Sequence, residues 1–202
     1  GRLEVDDYSH LAMASRFLAG ALGLPFMPSK SLLGSDILNK KNSDDQMPFE
    51  VINNPWNQDE PVVLLRACTP DVSIIHAQKA DEMGNVIIEG FTTQEPEMIR
   101  ASKSVIVSCE KLISSDEVRR SLDRATVPYI FVDAVVEQPW GAYPTSTYRY
   151  YEHDEEHLYY YQACARAGGE AYLQYLKEFI YDCATFDEYL DKAAGTEKLN
   201  EL

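Results

Sequence analysis

The side chains here that could do chemistry are few: four histidines, four cysteines and one glycine–proline loop. His10 stands three residues past Asp7, at the start of an apolar helical pattern. An imidazole N–H there can donate to a developing oxyanion, although taken alone His10 reads as a helix-surface histidine. His153 and His157 lie at i and i+4, a spacing that puts both rings on one helix face for a metal. The zinc-hydrolase pattern needs Glu directly after the first His, and Asp154 stands there. No third ligand is obvious, and the first-turn dipole already explains Asp154 to Glu156, so no metal is expected. His76 lies in an apolar strand and reads as a hydrogen-bonded core histidine. Cys68, Cys109, Cys164 and Cys183 form no Cys-x-x-Cys pair and fall on core-like segments. That pattern predicts buried thiols in a reducing compartment.

The elements that must position these groups follow from local pattern. Residues 7–24 predict a helix apolar on most sides, hence buried, with Gly23 as its C-cap and Pro25 stopping it. Pro25–Pro28 is extended, and 29–59 reads as irregular, with a polar run to Asp45 and a short strand at Phe49–Ile52. Strands are predicted at Pro61–Ala67, Asp71–Ala77, Val86–Ile88 and Val105–Cys109. Asp81–Asn85 is a turn in which Gly84 and Asn85 supply positive φ. Glu95–Ser102 is a short helix, and Ser114 with Glu117 forms a capping box ahead of Arg119 and Arg120. Tyr129–Val136 is apolar on consecutive positions, which predicts a strand covered on both faces. It runs into a loop holding Pro139, Gly141, Ala142 and Pro144, where open α/β sheets place ligands. The last third is helical, with breaks at Gly168-Gly169 and Gly195 and a cap at Thr185. Strands alternating with short helices predict an α/β fold: an open, mostly parallel sheet flanked by helices, with a helical C-terminal part. No repeat and no linker is visible, so 1–202 is expected to be one domain.

The 202 residues carry 33 acidic and 18 basic side chains, a net charge of −15. Nucleic acid needs a basic footprint, so a nucleic-acid partner is excluded. No apolar run is long enough to span a bilayer and no signal-peptide pattern opens the chain, which predicts a cytoplasmic protein without a membrane partner.

Four blocks in collinear order resemble one family, the family I CoA-transferases, and within it the A (α) subunits that act on glutaconate. They are Glu4–His10 with Leu24–Pro28; Asp71–Gln78 with Ala80–Asn85; Val107–Arg120; and Val132–Pro144 with Tyr150–Asp154. In that family further strands and a glycine-rich segment precede the point matching Gly1, so the chain is expected to be N-terminally incomplete. The resemblance implies ping-pong transfer of CoA between an acyl-CoA and a small carboxylic or dicarboxylic acid, with the CoA thioester as substrate and no permanently bound cofactor. The nucleophilic glutamate is implied to sit on a partner B (β) subunit, giving a hetero-oligomer. Glu89-Gly90-Phe91 is the nearest local approach to its setting, with the wrong spacing, so no nucleophile is placed in this chain.

His10 falls, by register from Pro25, where related transferases carry a glutamine whose amide serves the oxyanion, which makes it the catalytic candidate. Ser9 beside it either touches substrate or caps the helix. Gly34 and Ser35 match a small-residue loop facing the acyl group, and otherwise form an ordinary turn. Gly141, Ala142 and Pro144 are expected to line the substrate cleft or the contact with the B (β) partner. The tyrosines at 148, 150, 151, 159, 160 and 161 suggest a packed or subunit-facing surface. Two other readings fit the residues: a thioester or C–C hydrolase of the same fold, which would want a carboxylate at position 10, and a non-catalytic partner-binding subunit.

Overall fold

Ser9 starts the first element: its Oγ accepts the Ala12 N–H at 3.1 Å, and helix α1 runs over His10–Ala21. In this computed structural model, which describes residues 5–40, 49–120 and 126–202, the chain divides into two compact units. These are Gly1–Glu137 and Gln138–Leu202, where the sequence showed no linker.

In the first unit, α1 buries Ala12, Phe17 and Ala19, while Leu11, Leu18 and Leu22 are exposed. The helix is therefore buried on one side only, not on most sides as its composition predicts. Helix α1 packs against helix α2 (Glu95–Ala101), and the contact depends on Gly20. A Cβ added there would lie 2.3 Å from the Cys68 carbonyl oxygen and 3.0 Å from Ala101 Cβ. Cys68 is itself held by its N–H donating to the Arg16 carbonyl at 3.0 Å. Gly20→Ala should therefore destabilise the protein by about 1–3 kcal/mol in denaturant unfolding, despite alanine's better helix propensity. A variant as stable as the parent would show that this contact yields freely.

Two sheets follow. The first is antiparallel, in the order β1–β3–β2, with β1 at Phe26–Ser29, β2 at Glu50–Asn54 and β3 at Asn57–Arg66. The β2–β3 hairpin occupies much of the stretch read as irregular, and β3 begins four residues ahead of the predicted strand. Asp36–Asn39 is a 3₁₀ turn; the expected polar run to Asp45 extends past residue 40, outside the described residues. One face of this sheet buries Val63 and Leu65 against Ala12, Leu32 and Phe49.

The second sheet has the order β5–β4–β6–β7, with β4 at Val72–Asp81, β5 at Val86–Ile87, β6 at Ser104–Ile113 and β7 at Ala134–Glu137. Strands β4, β6 and β7 are parallel and β5 is antiparallel, so the α/β, mostly parallel sheet expected from the sequence is present. Asp81 ends β4 and builds the predicted turn: Oδ1 accepts the N–H groups of Met83 and Asn85, and Oδ2 the Asn85 side-chain amide. Only Gly84 there has positive φ, at 98°, since the Asp81 carboxylate holds Asn85 without it. One sheet face carries Ile75, Ala77, Val105, Val107 and Cys109 into a core with Ile99 of α2 and Val127. Burial raises the Cys109 thiol above its ordinary pKa, so it is an inert core sulfur. Val72 and Ile74 alternate to the other face and are exposed.

The strand predicted over Tyr129–Val136 differs in the structure. Tyr129–Phe131 is a 3₁₀ turn, and only Ala134–Glu137 forms a strand, at the sheet edge and largely exposed. The run is apolar without being covered on both faces: among the described residues β7 pairs on one side alone, with β6. A short helix, α3 (Ser115–Arg119), starts where Ser114 Oγ accepts the Glu117 N–H at 3.2 Å, as its sequence predicts.

The second unit is helical: α4 (Glu155–Ala167), α5 (Gly169–Leu176), a π-helical turn at Lys177–Tyr181, α6 (Phe186–Ala193) and α7 (Gly195–Leu199). Gly168, Gly169 and Gly195 take the positive φ that these breaks demand, and Thr185 Oγ1 caps α6 through the Glu188 N–H. The core here is aromatic, with Tyr175 and Phe179 4.9 Å apart beside Cys164. Of the tyrosines read as a possible surface, Tyr151 is buried and the other five are exposed.

Candidate active site

Tyr8 packs edge-on against Phe49 at 5.2 Å, and the Arg16 guanidinium lies 4.1 Å over its ring. Arg16 is fixed in turn by Nε donating to the Arg66 carbonyl at 2.9 Å. The segment entering α1 is thus anchored to the antiparallel sheet, and the next two residues are Ser9 and His10. Ser9 caps the helix, as its residue type favours. The same hydroxyl shares a hydrogen bond with Ser31 Oγ at 2.8 Å. His10 is the first helical residue; its ring is exposed, and its carbonyl accepts a long contact from Gln94 Nε2 at 3.5 Å.

Ser31 opens the turn that carries Gly34 and Ser35. Leu32 and Gly34 have φ of 77° and 78°. A leucine in the left-handed region costs on the order of 1–3 kcal/mol, offset here by burial of its side chain against Ala12. Ser35 donates from both N and Oγ to the Leu32 carbonyl, at 2.9 and 2.8 Å. The fold therefore brings Ser9, the start of α1 and the Gly34–Ser35 turn together through the Ser9–Ser31 bond and Leu32. Ser31 and Gln94 escaped the sequence reading, because nothing local marks a serine 22 residues away as a partner.

Gly141, Ala142 and Pro144 belong to the second unit. There the Ala142 N–H donates to Tyr151 Oη at 3.0 Å, and the Pro144 carbonyl accepts the Asp154 N–H at 2.9 Å. Trp140, at φ 63°, stacks on Tyr151 with ring centroids 4.3 Å apart. The loop is a fixed structure of that unit.

His76 is held as the sequence suggests, with the buried Glu110 carboxyl as one partner. Its Nδ1 meets Ser108 Oγ at 2.9 Å and its Nε2 meets Glu110 Oε1 at 2.6 Å. The Glu110 side chain is 3% exposed. Parallel pairing of β4 with β6 puts His76 opposite Ser108. Where β4 and β6 end, a depression of about 390 Å³ is lined by Glu82, Leu112 and Ser114 among others. Ser115 on its wall is engaged by Asp81.

In the second unit His157 is buried, with Nε2 2.8 Å from Tyr175 Oη. Burial holds its pKa below the ordinary imidazole value, opposed in part by the charge of Asp154. His153 is exposed, and among the described residues no group of three His, Cys, Asp or Glu side chains converges to hold a metal.

Comparison with known proteins gives consistent matches. A family model described as Coenzyme A transferase matches residues 1–138, the first unit to within a residue. An uncharacterised protein of Archaeoglobus fulgidus is 37% identical over 98% of the chain. The A subunit of glutaconate CoA-transferase from Acidaminococcus fermentans is 35% identical over 99% of it, and the crystal structure of that enzyme superposes with a TM-score of 0.89 over 98% of it. The A subunit of 3-oxoadipate CoA-transferase from Pseudomonas knackmussii is 33% identical over 95%. The chain spans 42% of the archaeal relative and 65% of each of the other two.

Proposed function

The chain belongs to the coenzyme A transferase family, and from that premise we propose that it is the A subunit of a two-subunit enzyme that moves CoA between an acyl-CoA and a small carboxylic acid. The observation that carries this reading is the collinear match over nearly the whole chain to the A subunit of glutaconate CoA-transferase, in sequence and in backbone. A glutaconate-like dicarboxylic acid is the acceptor class that match favours. No helix among the described residues is long and apolar enough to cross a membrane, which agrees with a cytoplasmic setting.

In the proposed reaction a glutamate on the companion B subunit is the nucleophile. It attacks the acyl-CoA carbonyl, forming a mixed anhydride and releasing CoA thiolate. The thiolate attacks the glutamyl carbonyl, giving a glutamyl-CoA thioester and freeing the first carboxylate. The acceptor carboxylate then runs the same two steps in reverse, and the glutamate is regenerated. Splitting the transfer this way replaces one hard step by easier ones. His10 donates an imidazole N–H to the oxyanion that forms at each attack. Ser9 positions it by capping α1, and Gly34 and Ser35 border the acyl group across the turn tied to Ser9. For Gly141, Ala142 and Pro144, which belong to the second unit, the role proposed is contact with substrate or with the companion.

The test is to purify this chain with its companion, assay CoA exchange over a panel of acids and trap the intermediate with hydroxylamine during turnover. The hydroxamate should form on the companion and on no residue of this chain. A modified Glu89, or any other modified carboxylate here, would overturn the division of labour between the two chains.

A further inference from the structure

Among the described residues, the antiparallel sheet of the first unit is covered on one face. On the other, Phe26, Pro28, Ile52, Val62 and Leu64 floor a groove of about 480 Å³, and Trp56 stands at its end. Trp56 is 92% exposed at the tip of the β2–β3 hairpin, and its placement is built in. The Trp56 N–H donates to Asn54 Oδ1 at 3.0 Å, and Glu60, bound by the Asn54 amide and the Lys30 ammonium, ties the hairpin to the residue after β1. A tryptophan held open to water beside an apolar groove is the composition of an interface anchor.

Resting on the reading of this chain as one half of a two-subunit transferase, we propose that this face is where the companion B subunit docks, with apolar or aromatic side chains in the groove against Trp56. Three observations choose that occupant. Two of the similar proteins named above are A subunits of CoA-transferases. A second copy would set one chain of charge −15 against another, with exposed Glu50 on the docking face and Lys30 already taken by Glu60, so an unlike, more basic partner is the better electrostatic match. Finally, the covered face of the same sheet packs Tyr8, Ala12 and Leu32. These residues hold Ser9, His10 and the Gly34–Ser35 turn, so a partner seated on the groove engages the sheet on which the candidate site is built.

The experiment is fluorine NMR of the fluorotryptophan-labelled chain, with the Trp56 signal assigned by its loss in Trp56→Ala. It is combined with affinity measurements against the purified companion for Trp56→Ala and Trp56→Glu, both on an exposed turn. Adding the companion should shift the Trp56 signal and remove its response to solvent, and each variant should weaken binding at least about tenfold. A companion that binds at full strength to both variants and leaves the signal unchanged overturns the docking surface while the two-subunit reading stands. A companion that never binds overturns both. Self-association abolished by Trp56→Glu would assign the groove to a second copy, and a Trp56 shift on adding acyl-CoA alone would assign it to a small ligand; either result overturns the proposal.

Discussion

Replacing His10 with alanine should lower turnover of the assembled enzyme about a hundredfold and leave KM, folding and assembly nearly unchanged. The size follows from the role: one oxyanion donor contributes about 2.7–4 kcal/mol to the transition state and little to the ground state, so its loss falls on kcat, by about a hundredfold at the low end. The lack of structural cost follows from the position. The ring is exposed at the first residue of α1, the described contact of His10 is through its carbonyl, and the helix is capped by Ser9. Exposed positions of this kind tolerate truncation within about half a kcal/mol. His10→Gln keeps an N–H donor at the same place and should retain most of the activity that alanine loses. Steady-state kinetics of CoA exchange on both variants decides the matter: unchanged turnover in His10→Ala removes His10 from the site, and a rise in KM alone turns it into a binding residue.

Asp154→Ala should cost the second unit about 2–4 kcal/mol, because it removes the cap of α4 and leaves the buried Tyr143 hydroxyl without its acceptor, while Lys198 keeps its ion pair with Glu156. Asp154 is 1% exposed. Its carboxylate takes the Lys198 ammonium at 2.8 Å, the Tyr143 hydroxyl at 2.6 Å and the His157 N–H at 2.9 Å, the last as the cap of α4. Burial by itself would raise its pKa, but the bonds from Lys198, Tyr143 and the His157 backbone outweigh burial and hold it below the usual carboxylate value. A carboxyl depressed in the folded state adds stability above its unfolded pKa, near 3.8, and that stability is lost as pH falls through the folded value. His157 has the same sign: its folded pKa lies below 6.5, so its contribution is complete above that pH and shrinks as acid forces a proton into a buried ring. The second unit should therefore weaken from about pH 6.5 downward and fail at the acid end, with Asp154→Ala removing the lower part of that dependence. Tyrosine near-ultraviolet dichroism reports on this unit, since 11 of the 13 tyrosines lie in it. A flat profile between about pH 7 and 4, or an Asp154→Ala protein as stable as the parent, would contradict this account.

The features legible along the chain are local or collinear. The caps at Ser9, Ser114 and Thr185, the Asp81–Gly84 turn and the glycine breaks in the last third depend on residues within four positions, where hydrogen-bond reach is set by the backbone. The family was legible because four blocks stand in one order, each too short to identify it alone. The remaining features are non-local and arise from packing. Apolar content in α1 and in 129–136 does not say which faces find a partner, and the structure leaves Leu11, Leu22 and most of β7 exposed. The division into two compact units at Gln138 has no linker to mark it, although 11 of the 13 tyrosines lie beyond it. Register across a parallel sheet is chosen by side chains some thirty residues apart, so the bonds of His76 to Ser108 and Glu110 could not be read from spacing. The same holds for Ser9 and Ser31, which meet because a buried Leu32 folds the turn back onto α1. Caps and turns are set within hydrogen-bond reach along the chain, whereas a pairing of this kind exists only once the helix and the sheet have closed over their common core.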